Sequence, residues 1–240
     1  LLTLVFEGGH EGARGSVAAR GNQPHVRRRP YHAERLPYSR MMLPTHALVG
    51  LAIAAPLLVL APEHATPALV GGLVGGMLPD MDLYAGHRRT LHYPLAYTLA
   101  AIPVAVGAYV AATPLLVALA FLLAAAALHC QMDRLGGGLE LRPWEGRSER
   151  AVYNHVRGRW HRPRRWVRYD GAPEDVLLTL TLGAPMLLVL DRPFLELAAV
   201  ALLAGASYGL LRRRLAALAP VVVARVPEPV VEHVPERYRQ

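Results

Sequence analysis

Between residues 41 and 133 stand three aspartates, one glutamate and five histidines, in a stretch otherwise dominated by aliphatic side chains. Seven of the nine gather at the ends of apolar runs. His46 lies in the first turn of the run that starts at Met42. Pro79-Asp80-Met81-Asp82 closes the second run, and His87-Arg88-Arg89-Thr90-Leu91-His92 opens the third. His129 and Asp133 end the fourth, four residues apart and therefore on one helical face. Imidazole nitrogens and carboxylate oxygens arriving from four helix ends form the donor set of a divalent metal site. Seven candidates exceed the needs of one tetrahedral ion, so the surplus either orients imidazoles or builds a two-metal site. Cys130 is the only thiol, which leaves zinc, manganese and iron open, with zinc or manganese expected first. Singly, each residue has an ordinary explanation: aspartates cap helices and histidines suit membrane interfaces. Their collection at one end of the runs points to ligation, because ionisable groups in apolar spans are costly to keep.

Helices must position these groups, and the hydrophobic pattern predicts about six of them. The runs are Met42 to Ala61, Pro62 to Leu78, His92 to Ala112, Pro114 to Met132, Glu174 to Leu190 and Pro193 to Leu211. Several approach the roughly 20 residues needed to cross a bilayer. The second carries Gly71, Gly72, Gly75 and Gly76, two overlapping small-residue faces that let helices approach closely. The expected class is an all-α, polytopic transmembrane bundle with a basic cytoplasmic loop and disordered termini. Residues 1–40 read as a disordered basic arm with seven arginines, and the native start is expected at Met41–Met42. Residues 41–133 form a four-helix core carrying the site, 134–172 a basic aromatic loop, 173–215 two further helices and 216–240 an extended tail.

Composition agrees with a membrane protein. Apolar residues make up 53% of the 240, only 18% are charged, and yet 26 basic residues against 18 acidic ones give a net charge of +8. A soluble domain carries about a quarter charged residues, and a single cysteine excludes an intramolecular disulfide scaffold. Every basic residue is arginine. The arm, the Arg88–Arg89 stretch, the 134–172 loop with ten arginines against four acids, and Arg212 to Arg214 all fall on one side of the alternating runs. The positive-inside rule therefore places both termini and these loops in the cytoplasm of a multi-pass protein of the cell (inner) membrane. Trp144, Trp160 and Trp166 lie among the loop arginines. Anionic lipid headgroups are the expected contact there, in preference to nucleic acid. Gly205-Ala206-Ser207-Tyr208-Gly209 has the spacing of a nucleophile elbow but lies inside an apolar helical run, so helix packing is expected of it.

The ordered set Thr45-His46, Pro79-Asp80-Met81-Asp82, His87-Arg88-Arg89-Thr90-Leu91-His92 and His129-Cys130-Gln131-Met132-Asp133 resembles the membrane-bound metal-dependent hydrolases. That family is also described as LexA-binding, inner membrane-associated hydrolases (YdjM-like). The resemblance spans about Met42 to Asp133. It implies a cytoplasm-facing metal site built from His46, Asp80, Asp82, His87, His92, His129 and Asp133. Arg89 and Tyr93 stand where the family commonly has glycine and serine. A metal there would acidify water, with Asp82 or Asp133 as general base and Arg88 and Arg89 holding a phosphate or other anion. A metal-dependent hydrolase acting on a small amphiphilic or phosphorylated substrate is the expected function. The rival is a non-enzymatic scaffold or transporter-like bundle whose polar helix ends are structural. Bare helix centres argue against transport, which places ionisable groups near the midplane.

Overall fold

The computed structural model describes residues 43–82 and 86–231. The expectations for residues 1–40 and for the last part of the tail lie outside these residues. The described residues are all-α apart from one short hairpin. Its elements are α1 (Leu43–Ala54), α2 (Leu57–Leu60), α3 (Pro62–Met77), a 3-10 turn (Leu78–Asp82), α4 (Pro94–Ala111) and α5 (Pro114–Leu135). They are followed by a 3-10 turn (Pro143–Glu145), the strands β1 (Tyr153–Asn154) and β2 (Arg159–Trp160), α6 (Pro173–Val189), α7 (Phe194–Val223) and α8 (Glu228–Val231). Proline opens α3, α4, α5 and α6 at a position whose N–H has no intrahelical partner. Thr113 caps α5 by accepting from the Leu116 amide at 3.3 Å.

Among the described residues, four segments are long and apolar enough to cross a membrane: Leu43–Leu60, Pro94–Ala111, Pro114–Leu135 and Phe194–Val223. The expected count was six. α3 and α6, with 16 and 17 residues, fall a turn short of the roughly 20 that span the hydrocarbon. At the far end, α7 continues to Val223 where the sequence suggested a stop after Leu211. Leu, Ala and Arg at 210–219 are strong helix formers, and charge alone does not end a helix. Arg212 is held there by Asp170, with Nε and Nη2 donating at 2.9 and 3.1 Å.

α1 is the central helix, buried along most of its length. Leu48, Leu51 and Ala54 pack with Ala68 and Leu69 of α3, Val117 of α5, Met186 of α6 and Ala198 of α7. Close approach is set by the glycines of α3. A methyl group on Gly71 or Gly75 would strike the carbonyls of Ala118 and Leu122 in α5, and one on Gly72 or Gly76 those of Gly50 and His46 in α1. The two small faces seen in the sequence thus grip two different helices. Gly205 and Gly209 of α7 likewise meet Thr179 and Val176 of α6, so the G-x-S-x-G spacing serves helix packing. Thr45 donates to Asp175 at 2.8 Å and pins the start of α1 to α6. By contrast α4 packs mainly on α5 and leaves Leu95, Leu99, Ile102, Val106 and Val110 exposed.

Candidate metal centre

The N-terminal turn of α1, the 3-10 turn after α3, the Gly86–Tyr93 stretch before α4 and the last two turns of α5 meet at one end of the bundle. There His46, Asp80, Asp82, His87, His92, His129 and Asp133 are all buried, none more than 5% exposed. All seven residues singled out as ligands from the sequence are brought together.

The contacts sort into two layers. Asp82 makes close hydrogen bonds: Oδ1 lies 2.7 Å from His87 Nδ1, and Oδ2 lies 3.1 Å from His92 Nδ1 and accepts the Leu91 amide at 3.0 Å. A carboxylate in that position takes an N–H from each ring, which leaves the lone pairs of His87 and His92 on Nε2. His129 reaches the same state by another route. Its Nδ1 donates to the Gly76 carbonyl at 2.7 Å, so its lone pair is also on Nε2.

The inner layer is where those nitrogens point. Asp80 Oδ1 lies 3.6 Å from His87 Nε2, 3.9 Å from His92 Nε2 and 3.7 Å from His129 Nε2. Asp133 Oδ2 lies 3.1 Å from His92 Nε2 and 3.6 Å from His129 Nε2. Most of these separations are too long for hydrogen bonds. They are close to the spacing of ligands around a common ion: bonds of about 2.1 Å put neighbouring donors about 3.0 Å apart in octahedral and about 3.4 Å apart in tetrahedral geometry. Asp80, His92, His129 and Asp133 each offer a donor within 4.8 Å of the others. Among the described residues, both Asp80 oxygens, His129 Nε2 and both ring nitrogens of His46 make no hydrogen bond. Buried polar atoms are rarely left so, and a divalent cation could satisfy them together. The set Asp82, His87 and His92 also has the composition of a metal site, but its distances are those of the hydrogen bonds just given.

Electrostatics agree. Burial acts to raise Asp80 and Asp82, yet their histidine neighbours, His129 and His87 for the first and His87 and His92 for the second, outweigh it and hold both carboxyls well below the usual range. They are anionic at neutral pH, as ligands and ligand-orienting groups must be.

No family model, curated protein or solved structure matches the chain. The site is therefore read from its own geometry.

The remaining singled-out residues lie at the rim. His46 stacks on His129 with ring centroids 3.7 Å apart, and its Nε2 lies 3.4 Å from Asp133 Oδ1. Arg88 is completely buried, donating to Asp133 Oδ1 at 3.0 Å and to the Gly137 carbonyl at 3.1 Å. Arg89 is exposed, with its guanidinium 4.6 Å from the centre of the Tyr153 ring. Sequence reasoning passed over His155. Its Nε2 lies 2.7 Å from the Arg89 carbonyl and 3.2 Å from that of His92, and its ring stacks on Tyr93 at 4.3 Å. It ties the hairpin to the ligand loop. Nothing in its sequence surroundings signals this, because its partners are backbone atoms more than 60 residues away.

Proposed function

We propose that the chain is a multi-pass protein of the cell membrane, with both termini in the cytoplasm, that binds a divalent ion at this cluster and hydrolyses a small amphiphilic or phosphorylated substrate there. The observation that carries the reading is the convergence of three imidazole Nε2 atoms and two carboxylates on one buried point, with Asp80 and His129 left without hydrogen bonds toward it. Asp80, His92, His129 and Asp133 are the proposed ligands, with His87 Nε2 beside Asp80. The resemblance to the membrane-bound metal-dependent hydrolases supports the same assignment and is the source of the hydrolase reading. Zinc and manganese both suit a mixed imidazole and carboxylate set.

A bound ion would supply Lewis acidity, polarising a phosphoryl or carbonyl oxygen and making water more acidic. The residues do the rest. Asp82 fixes the tautomer and orientation of the His92 ring and of His87 beside it. Asp133, which accepts a hydrogen bond from Arg88, is with His46 the group placed to take a proton. Arg89, exposed next to the ligand loop, is the proposed contact for an anionic substrate group. Burial of the cluster keeps bulk water away and strengthens each of these interactions. The exposed Arg157, Arg159, Arg162, Arg164 and Trp166 of the basic segment are the proposed contact with anionic lipid headgroups.

The same burial favours a second reading, in which the ion is structural and ties α1, α3, α4 and α5 together in a scaffold. Detergent-purified protein, supplied with zinc or manganese, separates the two when assayed on chromogenic phosphate and acyl esters. Metal-dependent turnover that Asp80→Asn abolishes supports the hydrolase. Metal-dependent thermal stabilisation with no turnover on any ester class supports the scaffold.

A further inference from the structure

We propose that the cluster holds one divalent ion rather than two, and that Arg88 occupies both the place and the charge of a second. The proposal rests on the metal-site reading above and deepens it.

Asp133 is the residue best placed to bridge two ions, since its oxygens face different neighbours. Oδ2 faces His92 and His129, on the side of Asp80. Oδ1 faces His46 at 3.4 Å, and His46 has no hydrogen bond on either ring nitrogen among the described residues. A second ion would sit between Oδ1 and His46. Arg88 Nη2 already donates to that same Oδ1 at 3.0 Å. Its other terminal nitrogen is anchored on the Gly137 carbonyl, so the guanidinium cannot easily swing aside. Asp133 therefore turns one oxygen, Oδ2, to the Asp80 side, where it lies 3.1 Å from His92 Nε2.

Charge leads to the same count. Three carboxylates, Asp80, Asp82 and Asp133, are buried together with one guanidinium. Their excess of two negative charges is matched by one divalent cation, whereas a second would leave the buried site strongly positive, which is costly without an added anion.

The backbone shows that the side chain is what is being placed. Arg88 has φ of 55°, in the left-handed region that disfavours residues with a Cβ. Glycine would fit that backbone better. The strain is offset by the Tyr153 amide donating to the Arg88 carbonyl at 2.9 Å, and the guanidinium reaches Asp133 from this turn. Arg88 is thus a positioning residue acting through Asp133.

The test uses the full chain in detergent, loaded with Mn(II), with bound metal counted by elemental analysis and its environment read by electron paramagnetic resonance. Wild type is expected to bind about one ion per chain and to show the hyperfine pattern of an isolated Mn(II). Two ions per chain, or an exchange-coupled pair, overturns the proposal. No binding at all instead defeats the metal-site reading beneath it. Arg88→Met, folded by circular dichroism, frees Asp133 Oδ1 and is expected to admit a second, coupled ion, while Arg88→Lys keeps the charge and the single ion. An Arg88→Met protein that binds one ion or none, with no coupling, removes the role given to Arg88; if it fails to fold, the wild-type count still decides.

Discussion

Asp82 shows how one carboxylate among several acquires a separate task. Among the described residues, its hydrogen bonds go to two imidazole Nδ1 atoms and a backbone amide. It orients ligands and stands back from the point they converge on. Asp82→Asn keeps the ligand atoms Asp80, His92, His129 and Asp133, but an amide can accept only on one side. Metal affinity measured by titration calorimetry is expected to fall roughly 10- to 100-fold while the count of ions per chain at saturation is unchanged. Loss of the ion altogether would make Asp82 itself a ligand. At this scale the sequence was informative about residue types and their gathering, because seven scarce polar groups at helix ends stand out against an apolar background. It was silent on the division of labour. Whether an aspartate ligates or orients is decided by differences of about 1 Å in contact distance, which no spacing along the chain encodes.

The glycines of α3 do for the helices what Asp82 does for the rings. Gly76 supplies the carbonyl that fixes His129 and also lies against the His46 backbone, so one residue sets the separation of α1, α3 and α5 at the level of the site. Gly76→Leu forces α1 away and is expected to cost about 1–3 kcal/mol of stability, with weaker metal binding. Gly107→Ala in α4 is the control. A methyl group there meets only Leu116 at ordinary contact distance, 3.9 Å, so thermal stability and metal binding should hold or rise slightly. Equal losses in both variants would mean that glycine flexibility, not close packing, is what α3 requires. The small-residue faces were legible in the sequence, as were the starts of α3 and α5 at Pro62 and Pro114. The length of α7 and the folding of the basic segment against the ligand loop were not. Both depend on long-range partners, Asp170 for Arg212 and the Arg89 and His92 carbonyls for His155, which hydrophobic periodicity does not reveal.

For the whole molecule, four helices have the length and composition of membrane spans, and the outer face of α4 leaves large apolar side chains uncovered. A bilayer is the environment that covers such a face at no cost. The clustered histidines and aspartates come from the starts of α1 and α4 and the ends of α3 and α5, so alternating chain direction delivers all of them to one end of the bundle. Arginine clusters at that end, which is the end proposed to face the cytoplasm. Reporter fusions after residue 231 and within the Asp191–Arg192 turn are expected to be active on opposite sides of the membrane, the first in the cytoplasm. Activity of both on the same side would contradict this arrangement. The net charge of +8 describes orientation, and the few acids and histidines among the arginines describe chemistry. That chemistry is tested most directly by the metal content of the detergent-purified full chain beside its Asp80→Asn, His92→Ala double variant. Retention of zinc or manganese by the wild type and its loss from a folded double variant is the predicted result. Equal metal content in the two proteins would contradict it.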